Sequence, residues 1–324
     1  MAEIGVALDG RAPIATIGEQ AKLAEAGGAA TLWIACHLFL RDPVTTAALA
    51  LAATTRIRVA LMAISPYSMH PVLAAMAAAS LDEMFPGRVT LCFGVGAPAD
   101  LAAAGIAAPK PLATLGEAIA LARALLAGEP VRHAGEIFHV GDRRLINGAG
   151  RVPIELAASG PQMLALAGKV ADGVLISAAT APAFVRWCLD HVERGAARRP
   201  IANAIAKRAL VYTSVAPRSA DAHARVRRKL GFVLRGGHHA RNLELAGTAL
   251  DQAALAQAYK AEDWPAVDRL VDDAVVRNHA ASGTPAEVRA AYDAYRAIGL
   301  DEIIIGGADA PGDVADALAA LRGP

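Results

Sequence analysis

The sequence predicts a (β/α)₈ (TIM) barrel of the α/β class. Short runs rich in β-branched residues alternate with Ala- and Leu-rich amphipathic stretches, which is the pattern of βα units on a parallel sheet. Eight such units follow one another, and a closed barrel accommodates eight more readily than an open doubly wound sheet does. The turn after the first strand also lacks the glycine-rich pattern of open dinucleotide-binding sheets, since it consists of Asp9-Gly10-Arg11-Ala12-Pro13.

The predicted elements follow in order along the chain. The strands span residues 4–8, 31–35, 57–63, 88–95, 153–158, 173–177, 209–215 and 302–306. The helices span residues 14–26, 43–53, 71–84, 115–127, 162–170, 181–196 and 313–321, and a long helical region lies within residues 220–298. No linker-like stretch breaks the series, so we expect residues 1–324 to form a single domain.

Two segments interrupt the regular alternation. Residues 131–146 precede the fifth strand and contain His133-Ala134-Gly135-Glu136 between apolar residues, which predicts a small β-hairpin insertion. Residues 218–282 follow the seventh strand and are too long for one βα connection, which predicts a helical insertion. An insertion at the carboxyl ends of barrel strands is a candidate lid over the mouth, and a dimer surface is an equal alternative.

Composition narrows the classes of function. With 55% hydrophobic residues the chain can bury a large core, and its net charge of +1 creates no field that would attract nucleic acid or an anionic membrane. No apolar run approaches the ~20 residues that a membrane-spanning helix needs. We therefore expect a small-molecule partner, with no nucleic acid and no membrane.

The cysteines and the amino terminus indicate a cytoplasmic protein. Cys36, Cys92 and Cys188 are odd in number and widely spaced, which fits neither a disulfide framework nor a zinc site, so no metal is expected. The first ten residues carry an acidic residue early and no basic start before a long apolar stretch, so we expect no signal peptide.

Two glycine-containing strand ends are candidate ligand sites. Gly94 and Gly96 follow the fourth strand, where tight backbone near a ligand and a plain strand-ending turn are equally good interpretations. After the fifth strand come Ala157, Ala158, Ser159 and Gly160, followed by a helix start. Small side chains let backbone amides approach a phosphate or carbonyl group, although a routine strand-to-helix turn would look similar.

Several segments together resemble a known family. They are WIACH at 33–37, SPYSMHP at 65–71, LDEMFPGR at 81–88, AASGPQML at 157–164, ADGV at 171–174 and GTPAEV at 283–288. In order and spacing they resemble the luciferase-like monooxygenase superfamily, and within it the branch that uses coenzyme F420, including methylenetetrahydromethanopterin reductase. The similarity runs from the first strand to Gly306, and residues 218–281 add nothing to it.

The resemblance implies a deazaflavin site at the barrel mouth. His37 would contact the ring or relay a proton beside it, whereas Cys36 stands where the family usually has Asp. A neutral thiol cannot do the work of a carboxylate, so a small buried side chain is the alternative role for Cys36. In the family, the segment that matches residues 62–65 forms a bulge with a non-prolyl cis peptide against one face of the ring.

The expected site residues follow from this resemblance. The cofactor-binding set is Cys36, His37, Ala63, Ile64, Ser65, Tyr67, His70, Gly94, Gly96, Ala157, Ala158, Ser159 and Gly160. The candidate catalytic residues are His37 and Asp9. Pterin-reducing relatives place a glutamate at the position that matches Ala7, and Asp9 lies on the same strand face two residues on. Asp9 would replace that glutamate or simply cap the turn with Gly10.

The leading hypothesis is an F420-dependent oxidoreductase that transfers a hydride between the deazaflavin and a small organic substrate, such as a methylene-pterin or an alcohol or aldehyde. One alternative is an FMN-dependent monooxygenase supplied by a separate reductase. The second is a non-catalytic flavin-binding barrel. Its support is that Cys36, Met69 and Ala7 stand where the resembled family has more reactive residues, which at the position of Met69 is often an Arg.

Two further expectations concern surfaces. Ala-rich helices at 43–53 and 71–79 would pack closely against a second copy, which predicts a homodimer. The basic stretch at 225–241 would bind an acidic ligand tail or form a solvated helix face.

Overall fold

Parallel strands alternate with helices in the computed structural model, which describes residues 2–148, 150–177, 179–199, 204–308 and 310–322. The strands are β1 (Glu3–Leu8), β2 (Thr31–Ala35), β3 (Arg58–Ile64), β4 (Val89–Phe93), β5 (Val131–Ala134), β6 (His139–Arg143), β7 (Ile154–Ala157), β8 (Gly173–Ile176), β9 (Ala206–Val215), β10 (Ala281–Gly283) and β11 (Glu302–Gly306). The helices are α1 (Ile17–Ala26), α2 (Pro43–Ala53), α3 (Pro71–Met84), α4 (Pro98–Ala103), α5 (Pro111–Leu126), α6 (Pro161–Val170), α7 (Pro182–Ala196), α8 (Ser219–Leu234), α9 (Ala240–Leu245), α10 (Gln252–Lys260), α11 (Trp264–Leu270), α12 (Asp273–His279), α13 (Pro285–Arg296) and α14 (Pro311–Arg322). Single 3₁₀ turns lie at Ile14–Thr16 and Gly237–His239.

Hydrogen bonding orders the strands as a parallel sheet that returns on itself. In the described part of the chain the order is β10-β9-β11-β1-β2-β3-β4-β7-β8, and β8 also pairs with β9. Every residue of β2, β4, β8 and β11 is buried, as expected for parallel strands covered on both faces. This is the strand order of a (β/α)₈ barrel, so the predicted fold class is confirmed.

The chain divides into two compact units. The first unit contains Met1–Ala7, Ile176–Leu189 and Lys207–Pro324, and the second contains Leu8–Leu175 and Asp190–Ala206. In the second unit, β2, β3 and β4 pair in parallel and bury their apolar side chains. Leu32, Leu61, Leu91 and Phe93 are all fully buried there.

The helical insertion of the first unit has a core of its own. Helices α8 to α12 occupy the segment between β9 and β10, where the sequence predicts a helical insertion at 218–282. Val226, Leu230, Leu234, Leu255 and Val276 form a buried apolar cluster among these helices. Each of the five is at most 1% exposed, so the segment is packed and is not a loose loop.

The two ends of this insertion meet at a stem. Strand β10 pairs in parallel with the end of β9, and the amide of Ala216 donates to the carbonyl of Gly283 at 3.0 Å. One carboxylate oxygen of Glu287 accepts hydrogen bonds from Ser219 Oγ at 2.6 Å and from the amide of Thr284 at 2.7 Å. The chain therefore enters and leaves the insertion at neighbouring positions.

Strands β5 and β6 pair antiparallel within the segment where the sequence predicts a hairpin. Some local features differ from the prediction. Strand β10 was missed because Ala281-Ser282-Gly283 has no β-branched residue, and α4 was missed because it is only six residues long. Helix α5 begins at Pro111 and not at 115, because Lys110 adopts a left-handed φ of +49° and Pro111 suits the first helical position.

Candidate active site

The candidate site lies within the second unit, where backbone contacts join the carboxyl ends of β2, β3 and β4. The amide of Cys36 donates to the carbonyl of Met62 at 2.6 Å, which joins the end of β2 to that of β3. Ser65 Oγ donates to the carbonyl of Val95 at 2.7 Å, which joins the β3 end to the β4 end. The residues that directly follow β2, β3 and β4 therefore lie together at one edge of the sheet.

A patch without large side chains lies among β3, β4 and β7. A Cβ built on Gly94 would lie 2.8 Å from Ala63 Cβ and 3.5 Å from Ala157 Cβ, so the three strand ends are in close contact. Gly96 has a φ of +93°, and a Cβ there would lie 3.1 Å from Ser65 Cβ. Both glycines are therefore required by the local geometry, and we call Ala63, Gly94 and Ala157 the small-residue floor.

The end of β3 carries the bulge that the family resemblance implied. The peptide bond between Met62 and Ala63 is cis, and the pairing of β3 with β4 shifts register between Leu61 and Ile64. Ala63 is half-buried, whereas Ile64 is buried. The sequence alone left open whether this cis bond or an ordinary strand end follows β3, and the structure has the cis bond.

His37 has an acidic neighbour that the sequence did not indicate. Its Nδ1 lies 3.7 Å from Oδ2 of Asp100, and the two side chains are 51% and 36% exposed. Asp100 sits in the first turn of α4, directly after the β4 end. A signal was available, since an acidic residue at a helix start beyond a barrel strand is placed at the mouth.

Cys36 has the properties of a structural side chain. Its Sγ lies 3.6 Å from the carbonyl of Ile34, towards which the thiol points. Burial, together with the negative charge of Asp42, raises the pKa of the Cys36 thiol well above its usual value. The thiol is therefore neutral, in line with the alternative role that the sequence left open.

Tyr67 and His70 lie on the loop from β3 to α3 and make defined contacts. Tyr67 donates its hydroxyl proton to the carbonyl of Pro109 at 2.6 Å. His70 caps α3, since its Nδ1 accepts from the amide of Val72 at 3.2 Å, which places its proton on Nε2. Its ring meets Phe138 edge to face at a centroid distance of 5.1 Å.

Asp9 is engaged with its own turn. Its Oδ1 accepts from the amide of Arg11 at 2.8 Å, and its Oδ2 lies 3.4 Å from Nε of the same residue. Arg41 in turn donates to the carbonyl of Arg11 at 2.7 Å, so this turn packs against the loop after β2. These contacts match the turn-capping interpretation, and a catalytic role for Asp9 stays a prediction.

The segment after β7 presents a helix amino terminus. The amide of Ala158 donates to the carbonyl of Leu175 at 3.0 Å, which holds the segment on β8. Ser159 is half-buried, and Gly160 at the N-cap of α6 provides no side-chain acceptor for the first turn. Free amides at a helix start favour an anionic or carbonyl ligand.

The basic stretch belongs to the first unit and is engaged with acidic groups. Arg228 lies 3.1 Å from Asp268, Arg241 lies 2.7 Å from Glu244, and Arg227 pairs with Asp273. These pairs favour the solvated helix face over an acidic-tail site. A cavity of about 340 Å³ in the second unit is lined by Ala79, Asp82, Glu83, Pro86, Leu126, Asn147, Gly150 and Val152, which include no predicted site residue.

Two findings concern other kinds of site. Among the described residues, no group of three or more His, Cys, Asp and Glu side chains is placed to hold a metal ion. Within the same part of the chain, no helix combines the length and the apolar character that crossing a membrane requires.

Comparison with known proteins identifies the family. The model of the luciferase-like monooxygenase family matches residues 1–302. The 5,10-methylenetetrahydromethanopterin reductase of Methanolobus tindarius is 32% identical over 301 residues, covering 91% of this chain and 90% of that protein. Among solved structures, the coenzyme F420-dependent tetrahydromethanopterin reductase of Methanopyrus kandleri matches with a TM-score of 0.90 and 23% identity, over 99% of this chain and 97% of that one. The oxygenating constituent of 3,6-diketocamphane monooxygenase from Pseudomonas putida, in complex with FMN, matches with a TM-score of 0.72 and 18% identity, over 99% and 96% of the two chains. The predicted resemblance is confirmed, and the chain belongs to the luciferase-like monooxygenase family.

Proposed function

We propose that this protein is an F420-dependent oxidoreductase that transfers a hydride between the deazaflavin and a small organic substrate. The observation that carries the proposal is the small-residue floor beside the β3 bulge, at the edge where His37 also lies. The relative with 32% identity is named as a reductase, and the solved structure with a TM-score of 0.90 is described as F420-dependent. Both support this function over the FMN alternative.

The residues present fit a planar tricyclic ring. Only backbone and methyl groups lie at positions 63, 94 and 157, and a single added Cβ at position 94 would already crowd Ala63. A flat ring would be favoured beside small side chains of this kind, because it gains most by close contact over its whole face. The free amides at the start of α6, next to Gly160, would meet a carbonyl or phosphate oxygen of the cofactor.

When bound, F420 would supply a ring carbon that accepts or donates a hydride. His37 would hold a proton beside the ring. Because Nδ1 of His37 lies 3.7 Å from Oδ2 of Asp100, the carboxylate would orient the ring and leave Nε2 towards the ligand. Asp100 would thus provide the carboxylate that Cys36 does not.

Titration with F420 tests the cofactor proposal. We expect F420 to bind to the protein, and we expect its fluorescence to be quenched or shifted on binding. Reduced F420 should be consumed when a methylene-pterin, an aldehyde or a ketone is added. Oxygen uptake with reduced FMN and no F420 binding would instead establish the monooxygenase alternative. Binding without turnover of any of these substrates would indicate a non-catalytic flavin-binding barrel.

A substitution of Asp100 tests its role beside His37. Asp100→Asn keeps the shape of the side chain but removes the negative charge beside Nδ1 of His37. We expect its turnover to fall by about 10²- to 10³-fold with little change in cofactor affinity. Asp293→Asn is the matched control, because that exposed carboxylate pairs with Arg296 on α13 and belongs to no predicted site. Equal losses in the two variants would contradict the assignment.

Among substrates, we favour a methylene-pterin, because the relative that aligns with 91% of this chain is named 5,10-methylenetetrahydromethanopterin reductase. Ala7, where pterin-reducing relatives have a glutamate, is the feature that favours an alcohol or aldehyde instead. Competing the two substrate classes against each other in one assay separates these possibilities.

We further propose a homodimer that pairs through α2 and α3. Leu49, Leu73 and Met76 on these helices are 42%, 54% and 47% exposed, and α2 carries no charged residue. Large apolar side chains exposed on Ala-rich helices of this kind support a protein interface. Sedimentation should give twice the chain mass, and Leu73→Glu should give a single chain mass.

The remaining expectations are also proposals. We place the protein in the cytoplasm because Cys36, Cys92 and Cys188 are all free thiols, and we expect no nucleic-acid partner at a net charge of +1. We propose that residues 218–282 act as a lid within a single domain of residues 1–324. Deletion of that segment should raise the substrate KM more than it weakens cofactor binding.

A further inference from the structure

A carboxylate on α5 holds the end of the β5–β6 hairpin, residues 135–138, which we call the hairpin tip. Glu117 Oε1 accepts from the amide of Glu136 at 2.8 Å, and Oε2 accepts from the amide of Phe138 at 3.1 Å. Nε2 of His133 lies 3.3 Å from Oε2. Burial opposes ionisation, but these hydrogen bonds outweigh it and lower the pKa of Glu117 to about 2. The carboxylate is therefore ionised at every pH at which the protein would work.

The hairpin tip has room for this carboxylate because of one glycine. A Cβ on Gly135 would overlap Oε2 of Glu117 and the ring of His133. The side chain of Glu117 is only 18% exposed, so the tip covers it. Two residues that are distant in sequence thus fit each other closely.

The hairpin tip in turn contacts the loop that carries predicted cofactor-binding residues. Phe138, 7% exposed, presents its ring to His70 with an interplanar angle of 86°. Glu136 pairs with Lys110, which follows the Pro109 carbonyl that accepts from Tyr67. The tip therefore contacts both His70 and the segment that holds Tyr67.

We propose that Glu117 is a positioning residue, which fixes the hairpin tip and thereby the rotamers of His70 and Tyr67 beside the cofactor site. This rests on the proposed function of that site. Side chains that contact a ligand bind it well only when their own positions are fixed by a second layer of contacts. Glu117 provides this layer from a helix that does not itself contribute a predicted site residue.

The chain contains a matched control. Glu117 accepts from the consecutive amides of residues 136–138. Glu25 on α1 likewise accepts from three consecutive backbone amides, those of Thr55, Arg56 and Ile57, at 3.0, 2.7 and 2.9 Å. Those residues precede β3, whereas the loop with Tyr67 and His70 follows it. Glu25→Gln therefore breaks the same kind of clamp at the opposite end of one strand.

The experiment compares Glu117→Gln with Glu25→Gln in the full chain. We expect both to lower the Tm by similar amounts, and only Glu117→Gln to weaken F420 binding, by about tenfold. The ¹⁵N spectrum of His70 reports its tautomer directly. It should show a proton on Nε2 in the wild type and in Glu25→Gln, and a mixture of tautomers in Glu117→Gln.

Either of two outcomes would overturn the proposal. One is an F420 affinity of Glu117→Gln that equals that of Glu25→Gln, and the other is a His70 spectrum that is the same in the two variants. If Glu117→Gln does not fold, Phe138→Leu keeps the Glu117 clamp and removes the ring contact. It should then show the His70 change, and an unaltered spectrum would equally reject the idea. If the wild type fails to bind F420, the proposed function fails, while the His70 tautomers still decide whether Glu117 has this role.

Discussion

Replacement of Gly94 by alanine tests how closely the three strand ends approach one another. The new Cβ would lie 2.8 Å from Ala63 Cβ, whereas two carbons in contact prefer about 3.5–4.0 Å. The strand ends would have to separate by about 0.7 Å or more, in a part of the sheet where both strands are hydrogen-bonded. Overpacking of this kind costs about 1–3 kcal/mol. We therefore expect Gly94→Ala to lower the free energy of unfolding by about 2 kcal/mol.

The second residue of the contact provides the decisive comparison. Ala63→Gly removes the methyl group that the new Cβ would meet, and the remaining neighbour, Ala157 Cβ at 3.5 Å, is in ordinary contact. The double variant should therefore be more stable than the sum of the single effects predicts, by about 1–2 kcal/mol. Urea unfolding of all four proteins measures this coupling energy, given a two-state transition. Strictly additive effects would refute the close approach.

Three other predictions concern titration, reactivity and capping. Burial lowers the pKa of His279 to about 4 and that of His239 to about 3, from 6.5. The unfolded chain thus binds more protons below pH 6.5, and stability should fall as the pH drops from 6.5 towards 4, by up to about 1.4 kcal/mol per pH unit for each histidine. Urea midpoints measured across this range should fall about half as steeply in His279→Gln as in the wild type, and equal slopes in the two proteins would contradict the assignment. Because the pKa of its thiol is raised, Cys36 should react with iodoacetamide at pH 8 far more slowly than a small model thiol does. Mass spectrometry would measure the rate of modification. A rate equal to that of the model thiol would show that the Cys36 thiol is ionised. Thr284→Ala breaks the capping box of α13 and should cost about 1 kcal/mol in thermal unfolding, and an unchanged Tm would contradict the cap.

The sequence located elements best where local chemistry defines their ends. Helices α2 and α3 have the predicted bounds, because each starts with a proline that follows a capping side chain, Asp42 or His70. Strands β2 and β11 also match, since both are short, buried and rich in β-branched or aromatic residues. Element boundaries without such signals, such as the start of α5 beyond the left-handed Lys110, depended on backbone geometry that composition does not encode.

The site was predictable only in part. The order of the βα units places His37, Ser65 and Gly94 at one edge, because the carboxyl ends of parallel strands meet there. The resemblance supplied the bulge between Met62 and Ala63. The pairing of His37 with Asp100 joins two different βα units, and its distance follows from how the loops pack. The helix start after β4 indicates that Asp100 lies at the mouth, but no local pattern in either segment contains its distance from His37.

The stem at the base of the insertion has a consequence for how this protein can diverge. Because Ala216 and Gly283 are hydrogen-bonded neighbours, everything between them can change in length at a small entropic cost, since closure entropy grows only slowly with chain length. The insertion also carries its own apolar core, against which Tyr212 of β9 packs from the stem. A single recombination event at these two points can therefore exchange the whole helical module between relatives, while the bulge and the small-residue floor are inherited unchanged.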